Sequence, residues 1–343
     1  MIRLAVDAMG GDHAPEAMVA GAELARDQHQ DLEILLFGDE QQLQAQLKDS
    51  TRIKIKPTTE MITMEDEPVR AVKGKRDSSI VQAALAVKNG AADALVSAGS
   101  TGALMVVGLL MIGRIKGIDR PGLTVTMPVI DNEIGFTMID AGANADAKLD
   151  NIRQYATLGT FYAENVRKVK HPRVGLINNG SEADKGDIAH QKMHDMLVQM
   201  GENGEINFIG NIESRYLLNG VADVVVTDGF SGNVALKATE GSALAVINML
   251  KTGIKTSGLR GKLGALLLKR PLQAIAKKMD YTRYGGAVLL GLQSPVIKGH
   301  GNSTAKMFKN CLDHAYEIAS SGYTEAVKEY LLKSAVTKQA TEK

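Results

Sequence analysis

Six short segments of the chain combine glycine with small polar or charged residues, and each follows an apolar run of strand length. They are DAMGGDH (7–13), SAGSTGA (97–103), DAGANAD (140–146), NNGSEADKG (178–186), TDGFSGN (227–233) and KGHGNS (298–303). Glycine allows a backbone N–H group to meet an oxyanion without a Cβ atom in the way. Most of the segments precede a predicted helix, and helix N-termini bind anions. Strand ends of an open α/β sheet converge on one crevice, so the pattern predicts a shared anion-binding pocket.

Taken alone, any one of these segments is also explained as a capped turn. Ser100 and Asp12 are residue types that commonly cap helices or turns through their side-chain oxygen. His13 and His300 stand inside glycine-containing segments, where each can hydrogen-bond an anion or hold the local turn. The recurrence of six such segments favours a common site over six unrelated turns.

Three familiar site types lack their signatures. The first strand–turn–helix unit does not fit G-x-G-x-x-G, and GHGNST (299–304) matches only the first half of that pattern. The sequence G-x-x-x-x-G-K-[ST] does not occur, and neither AGSTG nor GFSGN satisfies G-x-S-x-G. These mismatches argue against a nicotinamide dinucleotide site, a P-loop and a covalent serine enzyme.

Two pairs of residues at helical spacing are further candidates for chemistry. Cys311 lies three residues before His314, which fits a thiol–imidazole pair, although a buried thiol that only fills space is the favoured interpretation. His190 and His194 have the four-residue spacing of metal ligands on a helix. No glutamate follows the first of them and no third ligand is evident, so we expect neither a metal nor a cofactor.

The elements that position these residues follow an α/β pattern. Apolar runs of strand length alternate with stretches long enough for helices. These runs are LEILLFG, ADALVSAG, LTVTMPV, GFTMIDAG, RVGLINNG, NFIGNI, ADVVVTDG, GAVLLG and SPVIKG, after a first run at residues 2–6. Several are apolar on both faces, which suits the middle of a sheet covered by helices on each side. Helical character dominates from Ser231 to about Lys278, and a last helix begins near Ser303.

Composition limits the class of protein. The 343 residues are 44% hydrophobic with a formal net charge of +1, and aromatic residues make up 4% without any tryptophan. A nucleic-acid-binding protein would show a basic excess and stacking platforms, so we expect no nucleic-acid partner. Cys311 is the single cysteine, the first residues do not read as a signal peptide, and the longest apolar run (103–113) is shorter than the roughly 20 residues that cross a bilayer. We therefore expect a cytoplasmic location.

Four of the unusual strings occur in the same order as in a known family. DAMGGDHAPE (7–16), SAGSTGA, DAGANAD and TDGFSGNVALKATEG (227–241) together resemble the PlsX family of phosphate acyltransferases, the acyl-carrier-protein-dependent enzymes of bacterial phospholipid synthesis. Within the last string, Asp228, Gly232, Asn233 and Lys237 also follow the D-x-x-x-G-N-x-x-x-K pattern of phosphotransacetylases. Both families perform the same kind of exchange.

The resemblance implies an architecture and a reaction. The fold would be a three-layer α/β/α unit around a mixed sheet, like that of isocitrate and isopropylmalate dehydrogenases, with a projecting helical hairpin. Residues 1–343 would form one compact unit of two intertwined subdomains. The reaction would move a fatty acyl group from the thioester of acyl carrier protein to inorganic phosphate, in a homodimer, without a cofactor or covalent intermediate. An NAD-dependent dehydrogenase of the related architecture is the alternative.

The resemblance also assigns roles to residues of this sequence. Asp228 would orient phosphate or accept its proton. Lys185 would neutralise the charge of phosphate or of the oxyanion, and Asn179 and Asn233 would be neutral hydrogen-bond donors. Asp228 is equally well explained as an N-cap before Ser231. Residues assigned to phosphate or the rest of the substrate lie in the same segments and in VKGKRDSS (72–79). They are Gly10, Gly11, Asp12, His13, Arg76, Ser78, Ser100, Thr101, Gly102, Asn144, Ser231, Gly232 and His300.

One stretch has a one-sided charge. Residues 251–278, KTGIKTSGLRGKLGALLLKRPLQAIAKK, contain eight lysines and arginines and no acidic residue. Interleaved leucines predict a basic amphipathic helical segment over 251–280, broken near Pro271, whose partners are anionic. An ordinary helix pair with its leucines in the core is the alternative. The resemblance favours contact with acyl carrier protein and an anionic membrane surface through Arg260, Lys262, Leu266, Leu267, Leu268, Lys269 and Arg270.

Overall fold

The strands account for every apolar run described above, with one addition. The computed structural model describes residues 1–278 and 280–341. Its strands within these residues are β1 (Ile2–Asp7), β2 (Leu32–Gly38), β3 (Ile53–Pro57), β4 (Ala94–Ser97), β5 (Gly122–Val129), β6 (Asn132–Ile139), β7 (Arg173–Asn178), β8 (Asn207–Glu213), β9 (Val224–Val226), β10 (Ala287–Leu290) and β11 (Val296–Lys298). The addition is β3, an edge strand whose sequence alternates isoleucine with lysine. Such alternation is typical of a strand at a sheet edge, where charge discourages pairing with other chains.

Most of the helices lie between these strands in the chain. Within the described residues the helices are α1 (Glu16–Gln28), α2 (Glu40–Gln46), α3 (Pro68–Gly74), α4 (Ser79–Lys88), α5 (Thr101–Val107), α6 (Leu149–Asn165), α7 (Ile188–Glu202), α8 (Gly229–Thr256), α9 (Gly258–Leu267), α10 (Lys269–Lys278), α11 (Ala305–Ser320) and α12 (Tyr323–Thr341). Of these, α8, α9 and α10 follow one another without an intervening strand. A π-helical segment (Gly108–Ile112) extends α5, and 3-10 turns cover Ser214–Asn219 and Tyr281–Tyr284.

Helices cover both faces of the sheet because the central strands are apolar on both sides. Leu4 and Val6 of β1 pack with α1 and α11 on one face, whereas Ala5 packs with α3, α4 and α5 on the other. In the half of the sheet around β9, the first face is covered by α6 and α7. There the second face meets the first turns of α8 through Leu236 and the turn containing Leu217. The predicted three-layer α/β/α fold with a mixed sheet is confirmed.

The two halves of the sheet run in opposite directions. Strand order is β3-β2-β1-β4-β11-β10-β5-β6-β9-β7-β8. Strands β3, β2, β1, β4 and β11 are mutually parallel, and β6, β9, β7 and β8 form a second parallel set. Between them, β10 and β5 are antiparallel to both of their neighbours. The second set therefore points opposite to the first.

The register brings the carboxyl ends of the two opposed sets close together. Lys298, at the end of β11, pairs with Ala287 of β10, which pairs with Val125 of β5, which pairs with Met138 of β6. Strand β6 ends one residue after Met138. The loops that leave the two sets thus emerge at almost the same level, on either side of β10 and β5.

The far part of α8, together with α9 and α10, forms an exposed arm. In α8, which is 28 residues long, only the first two turns contain buried residues, and no described side chain of α9 or α10 is buried. The break before Pro271 lies at Leu268, between α9 and α10. Within the described part of the chain, no helix is long and apolar enough to cross a membrane. The division into two intertwined subdomains stays a prediction.

Candidate functional site

The loops that follow β1, β4 and β11 contact one another. The backbone N–H of Asp12 donates to the carbonyl of Gly301 at 2.7 Å. A Cβ atom at Gly10 would collide with the Asp7 carboxylate and lie 2.8 Å from the Gly99 nitrogen, and Gly11 has a φ of +111°. The adjacent glycines are therefore required by close approach of three loops, because neither position accommodates a side chain without strain.

A buried carboxylate holds this first group of loops. Asp7 is 3% exposed and accepts hydrogen bonds from the hydroxyls of Ser79 and Ser97, both at 2.6 Å. Ser97 in turn accepts from the Gly99 N–H. Burial raises the pKa of Asp7, and these hydrogen bonds oppose that rise. Asp7 thus joins β1, the start of α4 and the turn before α5.

A second buried carboxylate organises the loop after β6. Asp140 accepts hydrogen bonds from four backbone N–H groups, including that of Asn144 at 2.7 Å. The Asn144 amide donates to the carbonyl of Pro121 and to the hydroxyl of Tyr155, both at 2.8 Å. Asn144 is 7% exposed, so its side chain supports the loop from inside.

The loop after β9 packs against this second group. Asp228 caps α8 by accepting from the Ser231 N–H at 2.8 Å, and its other oxygen lies 3.7 Å from Nε2 of His190. A Cβ atom at Gly232 would collide with the carbonyl of Asp140. The side chain of Asn233 donates to the carbonyl of Ala141 at 3.2 Å. The start of α8 is therefore fixed against the β6 loop.

A polar cavity of about 250 Å³ lies where the two groups of loops meet. Its floor is formed by β5 and the start of β10, between the start of α5 and the first turns of α8. Thr101 and the segment 299–301 line one side, and Gly142 and Asn233 line the other. Four of the six glycine-containing segments, 97–103, 140–146, 227–233 and 298–303, thus line one cavity, whereas segments 7–13 and 178–186 contribute no residue to its lining.

Two lysines and one carboxylate line the polar cavity. Nζ of Lys298 donates to the carbonyl of Ala98 at 3.4 Å and to that of Gly299. Burial lowers the pKa of Lys298, and burial likewise lowers the pKa of His300. Lys237 forms an ion pair with Glu240 at 3.0 Å. This excess of cationic groups suits an anion, and the amide of Asn233 and the hydroxyl of Thr101 add neutral donors.

Of the residues assigned to the site, Thr101, Asn233 and His300 line the polar cavity. Several others shape the loops behind it. Ser100 caps α5 by accepting a hydrogen bond from the Ala103 N–H. A Cβ atom at Gly102 would lie 2.5 Å from the ring of Pro68, so only glycine fits there. Those that support the loops are Gly10, Gly11, Ser100, Gly102, Asn144, Asp228 and Gly232.

The remaining assigned residues lie outside the cavity lining. Asp12 and His13 are exposed in the β1 loop, and Ser231 lines a separate apolar surface beside α8. Lys185 and Asn179 are exposed, with Asn179 accepting from the Gly186 N–H at 3.0 Å. Their predicted contacts with substrate stay predictions.

The segment 72–79 forms its own local structure. Ser78 directly precedes α4, but its hydroxyl donates to the carbonyl of Lys75 at 2.7 Å and does not cap the helix. Arg76 is exposed and donates to the carbonyl of Lys73 at 3.0 Å. Neither side chain lines the polar cavity.

The site assignments omitted Lys298, Lys237 and Glu240. Lys237 belongs to the phosphotransacetylase pattern, and Glu240 lies three residues further along the same helix. Lys298 had a signal of its own, because it is a charged residue at the end of an apolar strand directly before Gly299. Only the register of β11 against β10 reveals that this lysine reaches the cavity.

The other candidates for chemistry lie apart from the cavity. Cys311 and His314 are both buried in α11, where burial raises the pKa of the thiol to about 12 and lowers that of the imidazole to about 4. This agrees with a thiol that fills space, because a thiolate nucleophile needs a lowered pKa. His194 is buried against Asn211, whereas His190 faces Asp187 and Asp228. In the part of the chain that the structure describes, no three potential metal ligands cluster.

Three consecutive leucines near the end of the exposed arm face solvent. Leu266, Leu267 and Leu268 are 66%, 77% and 56% exposed. They are followed by the exposed Lys269 and Arg270. The side chains of Arg260 and Lys262 lie outside the described residues. The leucines are thus available for contact with a partner and do not fill the core.

Comparison with known proteins agrees with this arrangement. Residues 2–326 match the family model described as "Fatty acid synthesis protein". The chain is 54% identical to the phosphate acyltransferase of Levilactobacillus brevis over 96% of its length and 95% of that protein. It is 51% identical to the phosphate acyltransferase of Lactiplantibacillus plantarum over 99% of its length and 98% of that protein.

A solved structure shares the fold at low identity. A phosphotransacetylase from Streptococcus pyogenes matches with a TM-score of 0.59 and 16% identity, over 93% of this chain and 94% of that one. This likeness shows the shared fold, whereas the family model and the sequence relatives show the family to which the chain belongs. The resemblance noted from the loop strings is confirmed, and the chain belongs to the fatty acid synthesis protein family, which includes phosphate acyltransferases.

Proposed function

We propose that this protein transfers an acyl group from a thioester to inorganic phosphate. The observation that carries the proposal is the polar cavity, in which Lys298 and Lys237 supply positive charge between two groups of glycine-rich loops. Relatives at more than half identity are named phosphate acyltransferases, which favours this reaction over the dehydrogenase alternative. The product is an acyl phosphate, the activated acid that phospholipid synthesis consumes.

The reaction needs no group beyond the two substrates. One phosphate oxygen forms a bond to the thioester carbonyl carbon, and the carbon–sulfur bond breaks with its electron pair going to sulfur. The proton of the phosphate ion ends on the free thiol. Holding both reactants in one cavity removes most of the entropic cost of their encounter, and cationic donors stabilise the oxyanion that develops on the carbonyl.

Individual residues receive roles within this proposal. Lys298 and Lys237 hold the phosphate charge, and Thr101, Asn233 and His300 donate hydrogen bonds. We propose Asp228 as the carboxylate that orients phosphate or takes its proton, with His190 beside it. We also propose Lys185 as the residue that neutralises the charge of phosphate or of the oxyanion, and Asn179 as a neutral hydrogen-bond donor; both are exposed on the loop after β7.

The exposed arm indicates the partners. Its basic residues and leucines fit an acidic protein and an anionic lipid surface, so we propose acyl carrier protein as the donor and peripheral attachment to the cytoplasmic membrane face. The long apolar side of α8 beyond Glu240 includes Val246, Met249 and Leu250, all at least 49% exposed. Such a surface suits a homodimer, which we also propose.

The decisive experiment combines an acyl carrier protein thioester with phosphate and traps acyl phosphate with hydroxylamine. We expect hydroxamate from the unaltered protein. For Lys298→Met we expect kcat/KM for phosphate to fall by roughly 10- to 100-fold, the usual effect of removing one hydrogen bond to a charged group. Lys306→Met, an exposed lysine on α11, is the matched control and should retain activity.

Two results would contradict the proposal. Absence of hydroxamate with the unaltered protein would show that it does not transfer an acyl group to phosphate. Equal kcat/KM values for Lys298→Met and Lys306→Met, with unchanged thermal unfolding of both, would mean that phosphate does not bind in the polar cavity.

A further inference from the structure

An apolar groove adjoins the polar cavity on the side of the arm. It has a volume of about 280 Å³ and lies between β5, α8 and α10. Met127, Pro128, Ala243, Leu244, Ile247 and Ala276 provide its apolar lining. A groove of this size and lining binds hydrocarbon by the hydrophobic effect.

The groove and the polar cavity are continuous. Met127, Glu240 and Thr282 line both of them. Glu240, whose side chain is 10% exposed, is paired with Lys237 on the cavity side. The polar residues therefore stand at the shared boundary, and the surface becomes apolar along α8 beyond it. A ligand that spans both spaces must have a polar, anion-binding end and an apolar tail.

We propose that the apolar groove holds the hydrocarbon chain of the acyl substrate, with its carbonyl at the boundary marked by Glu240 and Thr282. This inference rests on the proposed acyl transfer and deepens it, because it names the surface that selects the substrate. A tail in the groove directs the carbonyl carbon into the polar cavity, where Lys298 and Lys237 hold phosphate. The groove thus orients the thioester as well as binding it.

The spacing along α8 identifies a residue that limits chain length. With a rise of 1.5 Å per residue, Ile247 lies about 10 Å along the helix from Glu240, and Ala243 lies about 4.5 Å from it. Ala243 is small and only partly exposed, so it leaves space in the middle of the groove. A phenylalanine at this position would fill the groove beyond its first part.

The test measures binding of ethylphosphonate, hexylphosphonate and decylphosphonate to the full chain by calorimetry. These probes carry a phosphate-like head and tails of increasing length. In the unaltered protein we expect each methylene within the groove to tighten binding by roughly fourfold. For Ala243→Phe we expect the advantage of decylphosphonate over ethylphosphonate to shrink by at least about tenfold. Ala245→Phe, at an exposed position two residues along α8, should keep the original advantage.

Ala276→Phe probes the opposite wall, on α10, in case the first variant unfolds. It should also reduce the advantage of the long tail. If both wall variants keep the chain-length dependence of the unaltered protein, the tail lies elsewhere and the inference fails, while acyl transfer itself stands. If the unaltered protein shows no chain-length dependence and Ala243→Phe instead changes the oligomeric state in light scattering, a second copy of the chain covers the groove. Loss of acyl phosphate formation with every donor would instead refute the proposed function.

Discussion

The two lysines of the polar cavity differ in how the protein balances their charge. Lys237 is paired with Glu240, whereas the amine of Lys298 is directed toward two backbone carbonyls, and burial lowers its pKa. An anion bound beside Lys298 would raise that pKa again by stabilising the ammonium form. Phosphate binding and protonation of Lys298 therefore favour each other, which makes this residue the stronger contributor to anion affinity.

At the same scale, Asp228 has two explanations that one substitution separates. Asparagine is as good an N-cap as aspartate, so Asp228→Asn preserves the start of α8 while removing the charge. We expect turnover to fall by at least a factor of about 100, because general acid–base groups contribute that much or more. Asp187→Asn is the matched control, since Asp187 also caps a helix and also contacts His190.

The readouts are acyl phosphate formation and urea-induced unfolding. If Asp228→Asn turns over like Asp187→Asn, with both proteins equally stable, the carboxylate of Asp228 is a cap only.

At the scale of elements, α8 connects the chemistry with the surface. Asn233, Lys237 and Glu240 recur at spacings of three and four residues, so they lie on one face of the helix. Ala243 and Ile247 continue the same face into the apolar groove. One helix therefore carries, in order, the cavity lining, the ion pair at the boundary, the groove and the base of the exposed arm.

The end of that arm gives a prediction about membranes. Leu267→Glu places a charge among the exposed leucines, and we expect its affinity for phosphatidylglycerol vesicles to fall by at least about tenfold in co-sedimentation. Turnover of a soluble thioester donor should be retained, because no described residue of α9 lines the polar cavity or the apolar groove. Leu24→Glu, at an exposed position on α1, serves as control and should bind vesicles like the unaltered protein. Unchanged binding of Leu267→Glu would assign the arm to another partner.

The elements themselves were largely predictable from sequence. Central strands such as β4 and β9 are buried throughout and apolar except for Ser97 at the end of β4, so their runs are easily recognised. In β3, alternating lysines mask an edge strand. Strand order was not predictable, since it depends on pairings between distant residues. The cavity shows the same limit: the glycine-rich loops were recognisable locally, but Lys298 joins them only through the β11–β10 register.

At the scale of the whole molecule, a buried histidine joins helices that cover different halves of the sheet. His314 of α11 lies with Nδ1 at 3.1 Å from the carbonyl of Gly285, and Nε2 at 2.6 Å from the hydroxyl of Tyr162 on α6. A carbonyl accepts only, so Nδ1 donates and the neutral ring accepts from the tyrosine through Nε2. The neutral form of His314 is therefore the one that fits the fold.

This neutral histidine predicts acid sensitivity. Burial lowers the pKa of His314 from 6.5 to about 4, so between these values the unfolded chain binds a proton that the native protein does not. Stability must fall as pH falls through this window, by about 2 kcal/mol between pH ~7 and ~5 for this group. In urea unfolding, His314→Asn should lose this part of the pH dependence, although it lowers stability overall.

His171→Asn is the control, because His171 is exposed and should leave the slope unchanged. An identical slope for His314→Asn and the unaltered protein would mean that other groups govern the acid response.

The opposed strand sets have a mechanical consequence. From β11 through β10 and β5 to β6 there are three strand spacings, so backbone hydrogen bonds hold the flanking loops about 14 Å apart. A domain closure that narrowed this gap would have to break the backbone hydrogen bonds between these four strands. Long side chains that extend into the cavity must therefore bring the reactants into contact. Lysine suits this role, because its flexible four-carbon side chain ends in a compact ammonium group that can reach the bound phosphate.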